Sequence, residues 1–189
     1  MNRSMTASVT LAALVFALTG CVSKQTYQES QQKNTELEQE YQQLNQQMSA
    51  EVGAKNMQIT RLQDAIRVSI NSELLFPSGA WEMSDDAKQS ISKVAAILAP
   101  HQTTKIIVNG YTDNTPIGPG LMQEGITSNL VLSQKRADTV TQYMIAQGVK
   151  PSLISAEGFG DADPVASNST AQGRAQNRRV ELNVASANP

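Results

Sequence analysis

Residues 105–140 read KIIVNGYTDNTPIGPGLMQEGITSNLVLSQKRADTV: a strand, a turn carrying Thr-Asp-Asn, a glycine-rich excursion, then a basic helix. Ile106, Ile107 and Val108 are β-branched and end at Asn109-Gly110, which predicts a buried strand. Asp113 follows just past that strand, where a carboxylate can face out of the fold. Leu132-Ser133 predicts a helix start with Ser133 as N-cap, and Arg136 then falls in the first turn. A cation there opposes the helix dipole, so a partner or ligand carboxylate would account for it. An acid and a base at opposite rims of one loop can together hold a zwitterion.

Working outward, Val68 and Ile70 alternate ahead of Leu74-Leu75-Phe76, which predicts a first strand or hairpin broken by Pro77-Ser78-Gly79. Ala87, Ile91, Val94, Ala95 and Leu98 recur at helical spacing, with Ser84 or Asp85 as cap and Pro100 just beyond. In the basic helix, Ala137, Val140, Met144 and Ile145 form the buried stripe, and Gly148 suits the position after its end. Leu153 to Phe159 predicts a third strand. Arg178 to Val184 predicts a fourth, with Val180, Leu182 and Val184 on one face. The order over residues 67–189 is β-α-β-α-β-β, an α+β domain with a small mixed sheet.

The chain has 189 residues, with 15 basic against 17 acidic, so no strong net field favours nucleic acid as a partner. Residues 1–20 read as a processing signal: Arg3 supplies the positive start, and Val9 to Leu18 form an apolar run short for a membrane span. Leu18-Thr19-Gly20-Cys21 resembles a bacterial lipobox, which implies cleavage before Cys21, diacylglycerol on its thiol and acylation of its new amino group. Cys21 is the only cysteine, which excludes an intramolecular disulfide and a cysteine-based metal cluster. Several acyl chains anchor stably where one does not. Val22-Ser23 follows in place of Asp, which favours the outer membrane, with the remainder facing the periplasm.

Residues 21–66 read as a lipidated terminus and helical stalk. Leu37, Tyr41, Leu44, Met48, Val52, Ile59, Leu62 and Ile66 form a helical seam with one extra four-residue step near Met48, a stutter. Asn34 and Lys55 are polar seam positions. Both a single solvated helix and an oligomeric coiled coil are open, and either is a spacer reaching roughly 60 Å if wholly helical.

GYTDNTPI, SNLVLSQKRADTV, ISAEGFGDADPVASN and GRAQNRRVELNV resemble, in order and spacing, the OmpA-like C-terminal domain, over about residues 67–185. That family includes peptidoglycan-associated lipoproteins and the periplasmic domains of flagellar stator B subunits. The resemblance implies a small mixed sheet covered by helices and non-covalent binding of the diaminopimelate residue of the peptidoglycan stem peptide. It assigns Asp113 to the ligand's ammonium and Arg136 to its carboxylate, a group a planar guanidinium grips bidentately. One of Arg178 and Arg179 turns toward the site by strand alternation, and Arg179 is the one favoured. Thr112, Asn114 and Asn129 are rim donors. The long segment between Asp113 and Arg136 is closer to the stator B version, although the only long apolar segment carries no acid.

Taken singly, an Asp after a strand more often caps a turn, and an Arg on an amphipathic helix is more often solvated or paired. Four segments in register reverse that balance. His101 reads as an exposed loop residue, and Glu157, Asp161 and Asp163 as turn chemistry. No nucleophile with its base, metal cluster or cofactor motif is present, so the expectation is a binding protein and not an enzyme. The expected role is a tether between outer membrane and cell wall. The alternative is a wall-anchored subunit of an envelope machine, a flagellar motor or secretion system, with the loop or stalk engaging a protein partner or a second copy.

Overall fold

The computed structural model describes residues 24–50, 57–100 and 102–185, and within them five strands form one mixed sheet. In chain order the elements are α1 (Lys24–Gln47), β1 (Met57–Arg61), β2 (Ala65–Asn71), the single turn α2 (Ser72–Leu75) and α3 (Asp85–Leu98). Then come β3 (Lys105–Gly110), α4 (Pro119–Gln123), α5 (Asn129–Ala146), β4 (Ile154–Gly158), α6 (Ala171–Asn177) and β5 (Arg179–Ala185). The strands lie in the order β1-β2-β5-β3-β4, antiparallel except for the β3/β4 pair. A parallel pair needs a crossover, and α5 supplies it.

The period of two along each strand selects the core face. Ile66, Val184 and Ile106 lie side by side across three strands, as do Val68, Leu182 and Val108. All six are buried beneath α3 and α5, which contribute Ile91, Val94, Leu98, Val140 and Met144. Each such side chain is worth about 1.5–3 kcal/mol when taken from water. Ser84 caps α3 as expected, accepting from the Ala87 amide at 3.1 Å. Gly148, at φ +100°, closes α5 in the left-handed conformation that glycine adopts without a Cβ penalty.

The start of α5 differs from the expectation. Ser128, not Ser133, is its N-cap, its hydroxyl accepting from the Val131 amide at 3.2 Å. Ser133 is wholly buried inside the helix, donating to the Leu130 carbonyl and accepting from the Gly160 amide. Ser128 wins because it leaves Leu130 to Leu132 inside the helix, with Leu132 on the buried side. Arg136 consequently sits two turns in, beyond the reach of the N-terminal dipole. The Leu74-Leu75-Phe76 run likewise forms no strand; Leu74 and Leu75 close the α2 turn, which Asn71 caps.

A second difference concerns residues 57–66. The helical seam read through Ile59, Leu62 and Ile66 is replaced by the β1-β2 hairpin, in which Ile59 faces Val68. Ile59, Leu62 and Ile66 keep helical spacing, whereas Met57 and Ile59 alternate with Gln58 and Thr60 as in a strand, and pairing with β2 decides. The sheet thus begins at Met57. Farther upstream the seam is real from Leu37 to Met48, but it packs on the chain's own head: Leu37, Leu44 and Met48 are buried against the core. Residues 25–32 of α1 are exposed. The processing signal, Cys21, Val52, Lys55 and His101 lie outside the described residues. Among the described residues no helix is long and apolar enough to cross a membrane.

Candidate ligand-binding site

Where β3 ends, two backbone bonds hold the chain in place. Tyr111 donates to the Arg179 carbonyl at 2.9 Å and Thr112 to the Gly160 carbonyl at 2.7 Å. These pin the next residue, Asp113, which is only 5 % exposed and lies inside a cleft instead of facing out. Its Oδ1 accepts from the Thr115 amide at 2.8 Å, the self-capping turn common for Asp. Its Oδ2 lies 2.5 Å from Arg178 Nη1. Burial alone would raise this carboxyl, but the Thr115 hydrogen bonds and the Arg178 guanidinium outweigh it and hold it below its ordinary value.

Arg136 reaches the same cleft from α5 and is 6 % exposed. Its Nε donates to the Ala80 carbonyl at 3.0 Å, and its guanidinium lies 5.2 Å from the Phe76 ring centroid. Among the described residues no carboxylate is within ion-pair distance of it. Burial lowers its pKa to about 10, helped by the neighbouring Arg178 cation and opposed by Asp113. This guanidinium stays charged at neutral pH, and among the described residues no carboxylate contacts it. It is the group in the cleft with most to gain from an anion.

The arginine beside Asp113 is Arg178, and the expectation favouring Arg179 is corrected. Strand alternation starts at Arg179, which β5 turns onto the sheet face away from the helices, where it is buried. There it bonds Glu181 at 2.8 Å and stacks 3.7 Å above the Tyr111 ring. Arg178 precedes the strand as the C-cap of α6, so alternation does not bind it. It also bonds Glu73 of α2. Burial lowers the Arg178 pKa, but the bonds to Glu73 and Asp113 more than reverse this. Glu73 carried no local signal in the sequence, because only the fold brings α2 to this cleft.

The cleft has a volume of about 510 Å³. The turn from Phe76 to Gly79 forms one side, and Pro116, Ile117 and Leu121 of the long segment after Asp113 form another. Of the three rim donors expected, Thr112 lines the cleft, its Oγ1 buried and without a partner. Asn129 lines it too, and braces the loop by donating to the carbonyls of Asp113 and Thr115 at 3.2 and 3.0 Å. Asn114 is exposed and does not line it. A larger groove, about 680 Å³, lies along β1 and β2 on the opposite sheet face, but its buried charges Arg179 and Glu181 are already paired. Among the described residues no cluster of His, Cys, Asp and Glu has metal-binding geometry.

Residues 75–178 match the OmpA family. The chain is 39 % identical over 126 residues to probable lipoprotein YiaD of Escherichia coli, covering 67 % of this chain and 54 % of that protein. It is 37 % identical over 121 residues to peptidoglycan-binding protein ArfA of Mycobacterium tuberculosis, covering 64 % of this chain and 35 % of ArfA. These matches span about half or less of the curated relatives' length. Among solved structures, the cell wall anchor of the T6SS from Pseudomonas aeruginosa is similar with a TM-score of 0.69 at 31 % identity, covering 76 % of this chain and 96 % of that one.

Proposed function

From the premise that this chain belongs to the OmpA family, we propose that its cleft binds peptidoglycan non-covalently through the diaminopimelate of the stem peptide. The carrying observation is Arg136, a buried guanidinium without a carboxylate partner, set beside Asp113 in one cleft. Diaminopimelate presents a carboxylate, which that guanidinium can take in two parallel hydrogen bonds, and an ammonium within reach of Asp113. Two of the similar proteins bear names of the same kind, one a peptidoglycan-binding protein and one a cell wall anchor.

In this reading Cys21 is acylated, the chain is held at the outer membrane facing the periplasm, and the cleft tethers that membrane to the wall without chemical turnover. The lipobox resemblance supports the anchor, as does similarity to a probable lipoprotein. Binding of the full chain to purified diaminopimelate-type peptidoglycan, beside Asp113→Ala and Arg136→Ala, tests the site. Loss in both variants with unchanged circular dichroism is the expected result, and unchanged binding would move the site elsewhere.

A second reading, a wall-anchored subunit of an envelope machine, is favoured by the exposed Met122, Leu130 and Val131 beside the cleft and by likeness to a secretion-system anchor. A pull-down in which a partner survives Asp113→Ala but is lost with Leu130→Ser would support it.

A further inference from the structure

The register of the sheet gives the head two poles. Asn71 of β2 pairs with Arg179 of β5, and Gly110 of β3 with Val180 and with Gly158 of β4, so all of these lie at one end. The cleft stands on that end: Ser72 and Glu73 follow β2, Asp113 follows β3, and Arg178 precedes β5. At the other end are Arg61 and the β1-β2 turn, Ala65 opposite Ala185, and the starts of β3 and β4 at Lys105 and Ile154. β2 has seven residues, which sets the two ends about 20 Å apart.

Along this axis α1 runs toward the cleft. Lys33, Glu36, Leu37 and Glu40 share a crevice with Thr103 and Thr104, the residues just before β3, and Glu38 lies 3.8 Å from Arg61 at the end of β1. Both contacts are at the pole away from the cleft. Farther along the helix Leu44 and Met48 enter the core, and the chain returns in β1 at Met57, opposite Ile70 near the cleft end. Followed backwards, α1 therefore leaves the head at the far pole. Residues 25–32 are exposed there and add about 12 Å of helix. Only Val22 and Ser23 separate the start of α1 at Lys24 from Cys21.

We infer that the head meets the lipid surface with its far pole, that the cleft is directed away from the membrane, and that docked α1 is the post setting this orientation. The inference rests on the reading of Cys21 as the acylated anchor and adds a direction to it. A flexible leader would let the head turn either end to the bilayer. Here the leader is helical from Lys24 and is held on the head through Leu37, Leu44 and Met48. Its exposed part, QTYQESQQ over residues 25–32, has Tyr27 as its one large apolar side chain. No face of it can lie down in the headgroup layer, so it stands in water. Tension between membrane and wall then passes lengthwise, through α1 and along the strands to the cleft.

Cys21 is the only cysteine, and acylation consumes its thiol, so one introduced cysteine takes a single label. Gln63→Cys marks the exposed β1-β2 turn and Asn114→Cys the exposed rim beside the cleft. Energy transfer from each label to acceptor-headgroup lipids reads its height above the bilayer, with the full acylated chain in liposomes of phosphatidylethanolamine and phosphatidylglycerol. The label at position 114 should stand about 20 Å farther out than the label at 63. Deleting residues 25–31, two helical turns, should lower both by about 10 Å and keep the gap. Gln31→Pro breaks the exposed helix short of its docked part, and should cut the gap to less than about half with the melting temperature unchanged. Equal heights, or position 114 the nearer, in an acylated chain overturn the inference. Heights untouched by the deletion, or a gap untouched by Gln31→Pro, overturn α1 as the post. A chain without acyl groups on Cys21 by mass spectrometry, or one that does not float with the liposomes, overturns the anchor reading, and this inference with it.

Discussion

Arg136 stores unfavourable energy that a ligand can release. A buried guanidinium that no carboxylate contacts among the described residues is costly, and this one lies over the Phe76 ring, 5.2 Å from its centroid. Arg136→Met keeps an unbranched apolar chain in that place and removes the charge. We expect its stability in urea to equal or exceed that of the parent while stem-peptide affinity falls about 100-fold, the loss of two charge-assisted bonds. A large drop in the urea midpoint would show that the charge supports the fold instead. Asp113 behaves differently. Its carboxyl titrates below its ordinary value of 3.8, so the stability it contributes is fully present above that value and is lost as pH falls through the folded pKa. The stability gap between parent and Asp113→Asn, measured by denaturant melts, should be open at pH 6 and narrow on acidification below about pH 4. A gap independent of pH would remove the ionised carboxylate's bonds to Thr115 and Arg178 as its cause. Asp113 and Arg136 were legible as residue types at a strand end and on a helix. The choice between Arg178 and Arg179 was not, because it depends on the residue at which strand alternation begins, and Ser72 and Glu73 arrive through a turn that had read as strand.

At the scale of elements, the site depends on how closely α5 approaches the sheet. A Cβ on Gly110 would lie 2.2 Å from the Ser133 carbonyl oxygen, a backbone atom that cannot step aside without moving the helix. Gly158 meets the backbone of Gln134 in the same way. Gly110→Ala should therefore cost at least about 1–3 kcal/mol and shift Arg136 with α5. Ser128→Ala removes only the cap and should cost about 1 kcal/mol. Thermal melts of the two variants, with stem-peptide titration of whatever remains folded, check this ordering. Equal small losses would mean that α5 can slide. Strand β5 and the helices α3 and α5 could be read from period alone, since each carries three or more apolar residues on one face, and β3 from the β-branched run Ile106 to Val108. β1 could not. Ile59, one of its two inward residues, continues the helical seam by its spacing from Val52 and Leu62 as readily as it begins a strand, and the deciding contact, Ile59 against Val68, belongs to the hairpin.

For the whole molecule the open quantity is reach. As a free spacer, residues 21–66 would hold the cleft far from a lipid anchor. With β1 in the sheet and α1 lying against α3, most of that length is folded into the head. Undocking α1 would expose Leu37, Leu44 and Met48, at a cost on the order of 5 kcal/mol, an upper figure because the unfolded chain also buries some surface. Glu40 lies beside that seam, in a crevice with Lys33, Glu36, Leu37 and Thr103. Burial, with Glu36 beside it, raises its pKa to about 7 from 4.5. A carboxyl raised in this way favours the docked form most at pH below 4.5, and the contribution is lost as pH climbs through about 7. Glu40→Gln should accordingly tighten docking at pH 8 and change little at pH 5. Hydrogen exchange at each pH reads the effect directly, each variant being compared with the parent at the same pH. Amides near Leu44 and Met48 should be protected like the sheet, while those of residues 25–32 exchange fast, and Leu44→Ala should reduce the first group's protection. Uniformly fast exchange along α1 would mean that the helix leaves the head in solution, restoring the long spacer and freeing its apolar seam for a second copy.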